Sequence, residues 1–149
     1  MKKIIFSIVL LSGSTFLFAQ RDQRNVPQSV QQSWQRDHAN EGKPTWQQSN
    51  GQWHANYKDN TTNRNVDTYY DGKGREVDTH REMDRKDLPQ TYDQRINQRY
   101  HANGNYNVVK INRPNQKEIF QVKVQNAGKN RVVYTDRQGR EVKYRDQHR

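Results

Sequence analysis

Along the chain, apolar residues first recur at helical spacing at Val26, Val30 and Trp34, and again at Leu88, Tyr92, Ile96 and Tyr100. That three- to four-residue recurrence is the mark of a helix with one buried stripe, and it predicts helices over residues 26–37 and 88–100. Pro27 and Pro89 stand where a first helical turn tolerates proline, and Asp87 is a candidate N-cap for the second helix. Downstream of each helix the period changes to two. Trp53, Ala55 and Tyr57 alternate with His54, Asn56 and Lys58, and Phe120, Val122 and Val124 alternate with Gln121 and Lys123. These are strands with one buried face. Asn50-Gly51, between Trp46 and Trp53, signals a two-residue hairpin, and Asn126 to Gly128 takes that place later. Asp71-Gly72-Lys73-Gly74 and Asp136-Arg137-Gln138-Gly139 each turn a last hairpin, whose second strand carries Val77 or Val142.

The two stretches echo one another in order. Val26-Pro27-Gln28-Ser29-Val30 matches Leu88-Pro89-Gln90-Thr91-Tyr92, and His38-Ala39-Asn40 recurs as His101-Ala102-Asn103. Trp53, Ala55 and Tyr57 answer to Phe120, Val122 and Val124, and Tyr69 to Val77 answers to Tyr134 to Val142. The expected fold class is therefore α+β: a tandem repeat of one helix packed on a three- or four-stranded antiparallel sheet. The first repeat would span residues 20–83 and the second residues 84–149.

Residues 1–19 stand apart from this pattern. Lys2 and Lys3 precede an apolar run from Ile4 to Leu11, and Phe16-Leu17-Phe18-Ala19 leads to a cut ahead of Gln20. This is the order of a secretory signal peptide, with an apolar run too short to span a bilayer. The expected destination is the periplasm or the exterior. No Cys occurs anywhere, so no disulfide reinforces the fold. Only 16 of the 130 residues after Ala19 are Val, Leu, Ile or Phe. A core must then be built largely from the three Trp and eight Tyr, which bury large area while keeping a polar tip.

The Val/Leu-Pro-x-x-Val/Tyr helix openings, the aromatic hairpin and the Tyr-x-Asp-x-x-Gly-Arg-Glu-Val segment together resemble the PepSY-like, β-lactamase-inhibitor-protein-like (BLIP-like) domains of exported bacterial proteins. The resemblance covers Val26 to Tyr144. It implies a helix-on-antiparallel-sheet fold and a non-enzymatic binding or inhibitory role toward an envelope or extracellular protein. The lactamase inhibitors carry disulfides and this chain has no Cys, so no inhibitory residues transfer to it.

The residues offer little for catalysis. Five His occur, at 38, 54, 80, 101 and 148, without the spacing of a metal-binding motif. His38 and His101 follow the two helices and read as cap or loop residues, His54 reads as facing water, and His80 and His148 as isolated. Of the mature Ser residues, Ser29 and Ser33 fall on the first helix and Ser49 at a hairpin, unlike a positioned nucleophile. Asp71-Gly72-Lys73-Gly74 lacks the alternating carboxylates of a calcium loop. No cofactor or metal is expected, and no catalytic residue.

Charge separates the two stretches. From Gln20 to Met83 there are nine basic and nine acidic residues, whereas from Asp84 to Arg149 there are fifteen and seven. The alternative functional reading is accordingly a basic protein that binds an anionic polymer or envelope surface through its second repeat. Lys123, Arg131, Arg137, Arg140, Lys143 and Arg145 are the candidate residues for such a surface.

Overall fold

The computed structural model describes residues 25–126 and 129–145. The signal-peptide assignment, the Ala127-Gly128 part of the late hairpin, and His148 lie outside the described residues. The elements run α1 (Gln28–Asp37), β1 (Thr45–Ser49), β2 (Gln52–Lys58), β3 (Asn65–Tyr70), β4 (Glu76–Met83), α2 (Gln90–Tyr100), β5 (Tyr106–Asn112), β6 (Ile119–Asn126) and β7 (Lys129–Thr135). A short 3-10 turn, Arg85–Asp87, leads into α2. All seven strands form one antiparallel sheet in chain order.

This corrects the expected fold class. Two separate three- or four-stranded sheets do not form, because β4 pairs directly with β5, Thr79 opposite Asn112 and Met83 opposite Val108. The reason is backbone chemistry. Left as an edge, β4 would present a row of unpaired N–H and C=O groups, and β5 satisfies them whatever side chains it carries. Alternation of apolar residues reports which face of a strand is buried, but not which strand lies beside it.

Both helices cover the same sheet face. Directly opposed residues of an antiparallel pair share a face, and the register runs Val66, Arg81, Lys110, Phe120 from β3 to β6. Under α1, Val26, Val30 and Trp34 pack on Trp46, Trp53, Ala55, Tyr57, Val66 and Tyr70. Under α2, Leu88, Tyr92, Ile96 and Tyr100 pack on Tyr106, Val108, Phe120, Val122, Val124 and Val133. Between the two clusters the helix side of the sheet is polar, with Thr79 and Arg81 on β4 and Lys110 and Asn112 on β5. One sheet therefore carries two apolar cores.

The helix starts lie later than expected, with Pro27 and Pro89 themselves at the N-caps. Asp87 does not cap α2; it sits in the 3-10 turn and takes Arg64 Nη1 at 2.7 Å, while Asp84 takes Arg64 Nη2 at 3.1 Å. These pairs tie the β2–β3 connection to the approach of α2.

Two turns show why their motif is spelled as it is. In the first, Asp71 Oδ1 accepts from the Lys73 and Arg75 N–H groups, and Arg75 Nε donates to Asp71 Oδ2 at 2.7 Å. In the second, Asp136 makes the same bonds to Gln138 and Arg140. Gly74 has φ +81°, and a Cβ there would lie 2.5 Å from the Ser29 carbonyl oxygen, so the turn seats directly on α1. After Gly139, by contrast, the expected second strand is reduced to one bridge, Thr135 with Glu141, plus a Val142 N–H bond to Tyr134 O.

Candidate binding surface

The face opposite the helices presents a continuous line of polar and aromatic side chains. Period-two alternation puts His54 and Asn56 of β2, Asp67 and Tyr69 of β3, and Asp78 and His80 of β4 on this side. His54 stacks on Tyr69 with ring centroids 4.7 Å apart and planes 6° from parallel. His54 Nε2 lies 2.7 Å from Asp67 Oδ1, which also accepts from Asn56 Nδ2 at 2.6 Å. Burial raises the Asp67 pKa, but the hydrogen bonds from His54 and Asn56 outweigh it and hold the carboxyl below its ordinary value. Next to these groups, Gln47, Ser49, Gln52, His54 and Tyr69 line a recess of about 140 Å³.

The line continues across the sheet. Tyr69 contacts His80 at 5.1 Å, and His80 Nε2 is 3.3 Å from Asp78 Oδ1. The fully buried Asp78 also faces Arg113 Nε at 3.3 Å. The Arg113 guanidinium lies 4.6 Å over the Tyr144 ring and donates to its hydroxyl at 3.0 Å. Tyr144 in turn packs on Tyr134 at 4.4 Å, whose hydroxyl accepts from Gln121 Nε2. Tyr144 and Arg113 therefore occupy the middle of this face, where Ile111 is also buried, while on β1 to β3 Gln47 and Ser49 are exposed and His54, Asn56, Asp67 and Tyr69 half-buried.

His54 and His80 thus differ from the sequence reading. Neither is an isolated or simply solvated ring; each sits beside a carboxylate and against Tyr69. His38 is the C-cap of α1, with its ring against Trp34 and Tyr57 and Nδ1 2.9 Å from the Tyr57 hydroxyl. Burial pushes its pKa below the ordinary histidine value. His101 is the left-handed C-cap of α2. Among the described residues no group of three His, Cys, Asp or Glu side chains gathers in a metal-binding arrangement. No described helix is long and apolar enough to cross a membrane.

The six candidate basic residues divide. Arg137, Arg140 and Lys143 line one open depression of about 930 Å³, together with Lys117, which sequence reading did not single out. Lys123 lies on the face away from the helices, opposite Val132. Arg131 lies on the helix side, its guanidinium 5.0 Å over the Tyr100 ring. Arg145 is exposed in the tail, and its carbonyl accepts from Arg113 at 3.4 Å. Arg113, Tyr144 and Tyr69, all on the uncovered face, were also missed as site residues. The signal for Tyr69 was there: in the pair Tyr69-Tyr70 only one ring can face the core.

The fold recurs in solved proteins. A DUF2874 family protein of Bacteroides ovatus superposes with a TM-score of 0.70 at 21% identity, over 78% of this chain and 84% of that one. A BLIP-like protein of Bacteroides fragilis gives 0.68 at 20% identity, over 83% and 87%. A proposed periplasmic protein of Bacteroides eggerthii gives 0.72 at 14% identity, over 79% and 86%. No protein-family model and no curated protein sequence matches the chain. The likeness shows a BLIP-like fold; the PepSY-like relation rests on the sequence motifs alone.

Proposed function

We propose that this chain is an exported, non-enzymatic module that docks an envelope or extracellular protein on the sheet face its helices leave bare. The observation that carries the reading is the aromatic and amide surface of β1 to β3, where Tyr69 and His54 stack beside Gln47, Gln52 and Asn56. Tyr offers contact area at little entropic cost and Asn adaptable hydrogen bonding, as in wet, specific protein interfaces, and the Gln amides add further donors and acceptors. The leader-like residues 1–19 support export, and the BLIP-like and periplasmic neighbours support a binding role in that compartment.

Site-specific photocrosslinking in the native host tests this. A crosslinker at Gln47 should yield one discrete adduct with an envelope protein, and Tyr69→Ala should abolish it. A crosslinker at Gln32, exposed on α1, should yield none. Equal adducts from both positions, or none from Gln47, would overturn the proposal.

A further inference from the structure

At one end of the sheet, the β5–β6 connection meets the turn that follows β7 and the start of the tail. The depression of about 930 Å³ lies here, lined by Gln116, Lys117, Glu118, Ile119, Asp136, Arg137, Gln138, Arg140, Val142 and Lys143. Its carboxylates are already engaged. Asp136 Oδ2 takes Arg140 Nε at 2.7 Å, and Glu118 Oε1 takes Lys110 Nζ at 2.6 Å. Lys117, Arg137 and Lys143 are exposed, and none makes a hydrogen bond or ion pair among the described residues.

Most arginines elsewhere on the surface are paired. Arg36, Arg64, Arg75, Arg81, Arg85, Arg99, Arg113 and Arg140 each face a carboxylate. Lys117, Arg137 and Lys143 thus bring three uncompensated cations to one concavity, whereas the other cations without a carboxylate, among them Lys43, Lys58, Lys73, Arg131 and Arg145, do not line it. Their mutual repulsion is relieved when an anion sits between them.

We infer that this depression binds a linear glycan bearing sulfate or phosphate ester groups. The Arg137 fork matches a tetrahedral oxyanion in bidentate fashion, and the two ammonium groups supply point charges on either side. The Gln116 and Gln138 amides suit the hydroxyls between the esters. None of the lining residues is aromatic, so nothing there stacks a nucleobase. Ile119 and Val142, partly exposed, are too small an apolar surface to seat in a bilayer. The site is separate from the protein-docking face, and each can exist without the other.

Binding of a heparin-derived octasaccharide, followed by calorimetry at several salt concentrations, tests the inference. Three neutralised cations predict a slope of log K against log salt of about −2 to −3. The triple variant Lys117→Gln, Arg137→Gln, Lys143→Gln should bind at least tenfold more weakly, with circular dichroism confirming that it folds. A control with the same net charge, Lys43→Gln, Lys58→Gln, Lys73→Gln, should bind within twofold of the parent. Tyr69→Ala should leave glycan binding unchanged, which distinguishes this site from the docking face. Equal losses in both triple variants would show a mere net-charge effect and overturn the site. So would oligo-dT of equal charge binding as tightly as the octasaccharide, or no octasaccharide binding at 50 mM salt.

Discussion

The two helices cover one sheet face with different chemistry. Under α2 the core is mainly aliphatic, and each buried phenol finds a partner. Tyr92 shares a hydrogen bond with Thr135 Oγ1 at 2.7 Å, Tyr100 donates to Glu141 Oε2 at 3.2 Å, and Tyr106 donates to Asp93 Oδ1. Under α1 the core is built from Trp34, Trp46, Trp53, Tyr57 and Tyr70. There Trp34 Nε1, the Tyr70 hydroxyl and His38 Nε2 are buried without a hydrogen-bond partner among the described residues. Leaving such an atom unsatisfied costs about 1–3 kcal/mol. Large amphipathic rings can replace aliphatic volume, but each brings a polar tip that the fold must place. The α2 region places its tips, whereas the α1 region leaves three buried.

The largest test of this contrast is in the α2 core. Phe120→Ala should cost about 3–5 kcal/mol, read from denaturant midpoints, because the ring is buried against Tyr92 and cannot be replaced by collapse. In the parent protein, the amides of residues 120–124 should outlast those of residues 53–57 in hydrogen exchange. The opposite order would break the comparison.

Matched tyrosine substitutions sharpen it. Tyr92→Phe removes the partner of the fully buried Thr135 hydroxyl and should cost about 1–2 kcal/mol. Tyr70→Phe removes a hydroxyl that has no such partner, so it should fall within about 0.5 kcal/mol of the parent or stabilise it. Burial raises both phenol pKa values, Tyr92 to about 12, so neither ionises near neutral pH. Equal losses from the two substitutions would mean that the Tyr70 hydroxyl is satisfied in solution.

The smallest effect is on acid sensitivity. Burial against Trp34 and Tyr57 depresses the His38 pKa, and Arg81 adds to this, while Glu76, Asp37 and Glu41 pull the other way. With the folded value below the unfolded one of about 6.5, the neutral ring stabilises the fold fully above that pH. The contribution is lost as pH falls through the folded value. Urea midpoints should therefore drop from pH 7.5 to 5.5, and His38→Gln should flatten that drop. Asp67, also depressed, acts in a separate window below its unfolded value of about 3.9. A drop that His38→Gln leaves unchanged would assign the sensitivity elsewhere.

Much of the local structure was legible from the residues. Val30 and Trp34, and Tyr92, Ile96 and Tyr100, mark the buried stripes of the two helices. Trp53, Ala55 and Tyr57 face the core as their alternation requires. Asn50-Gly51, with φ of 51° and 75°, turns the β1–β2 hairpin, because both central positions of such a turn need positive φ. The candidate surfaces were less legible. Arg137, Arg140 and Lys143 are near in sequence and near in space, but Lys117 joins them only because the β5–β6 connection ends beside the turn after β7. Lys123 and Arg131 are separated because alternation sends them to opposite faces of a hairpin.

By itself, then, the sequence determined the two helices, the strands through Trp53 and Phe120 and which side of each is buried, since those follow from local periodicity, but it did not mark β5, and the strand expected at Val142 is a single bridge. Only the tertiary structure decided that β4 and β5 join two cores into one seven-stranded sheet. The β4–β5 pairing is made by backbone hydrogen bonds, which no side-chain pattern records. Asp78, Thr79, His80, Arg81 and Glu82 read as polar on both sides, like a sheet edge, yet they lie at its centre. There Arg113 and Arg81, each beside a carboxylate, Asp78 and Asp59, compensate the charge that a central strand ordinarily excludes.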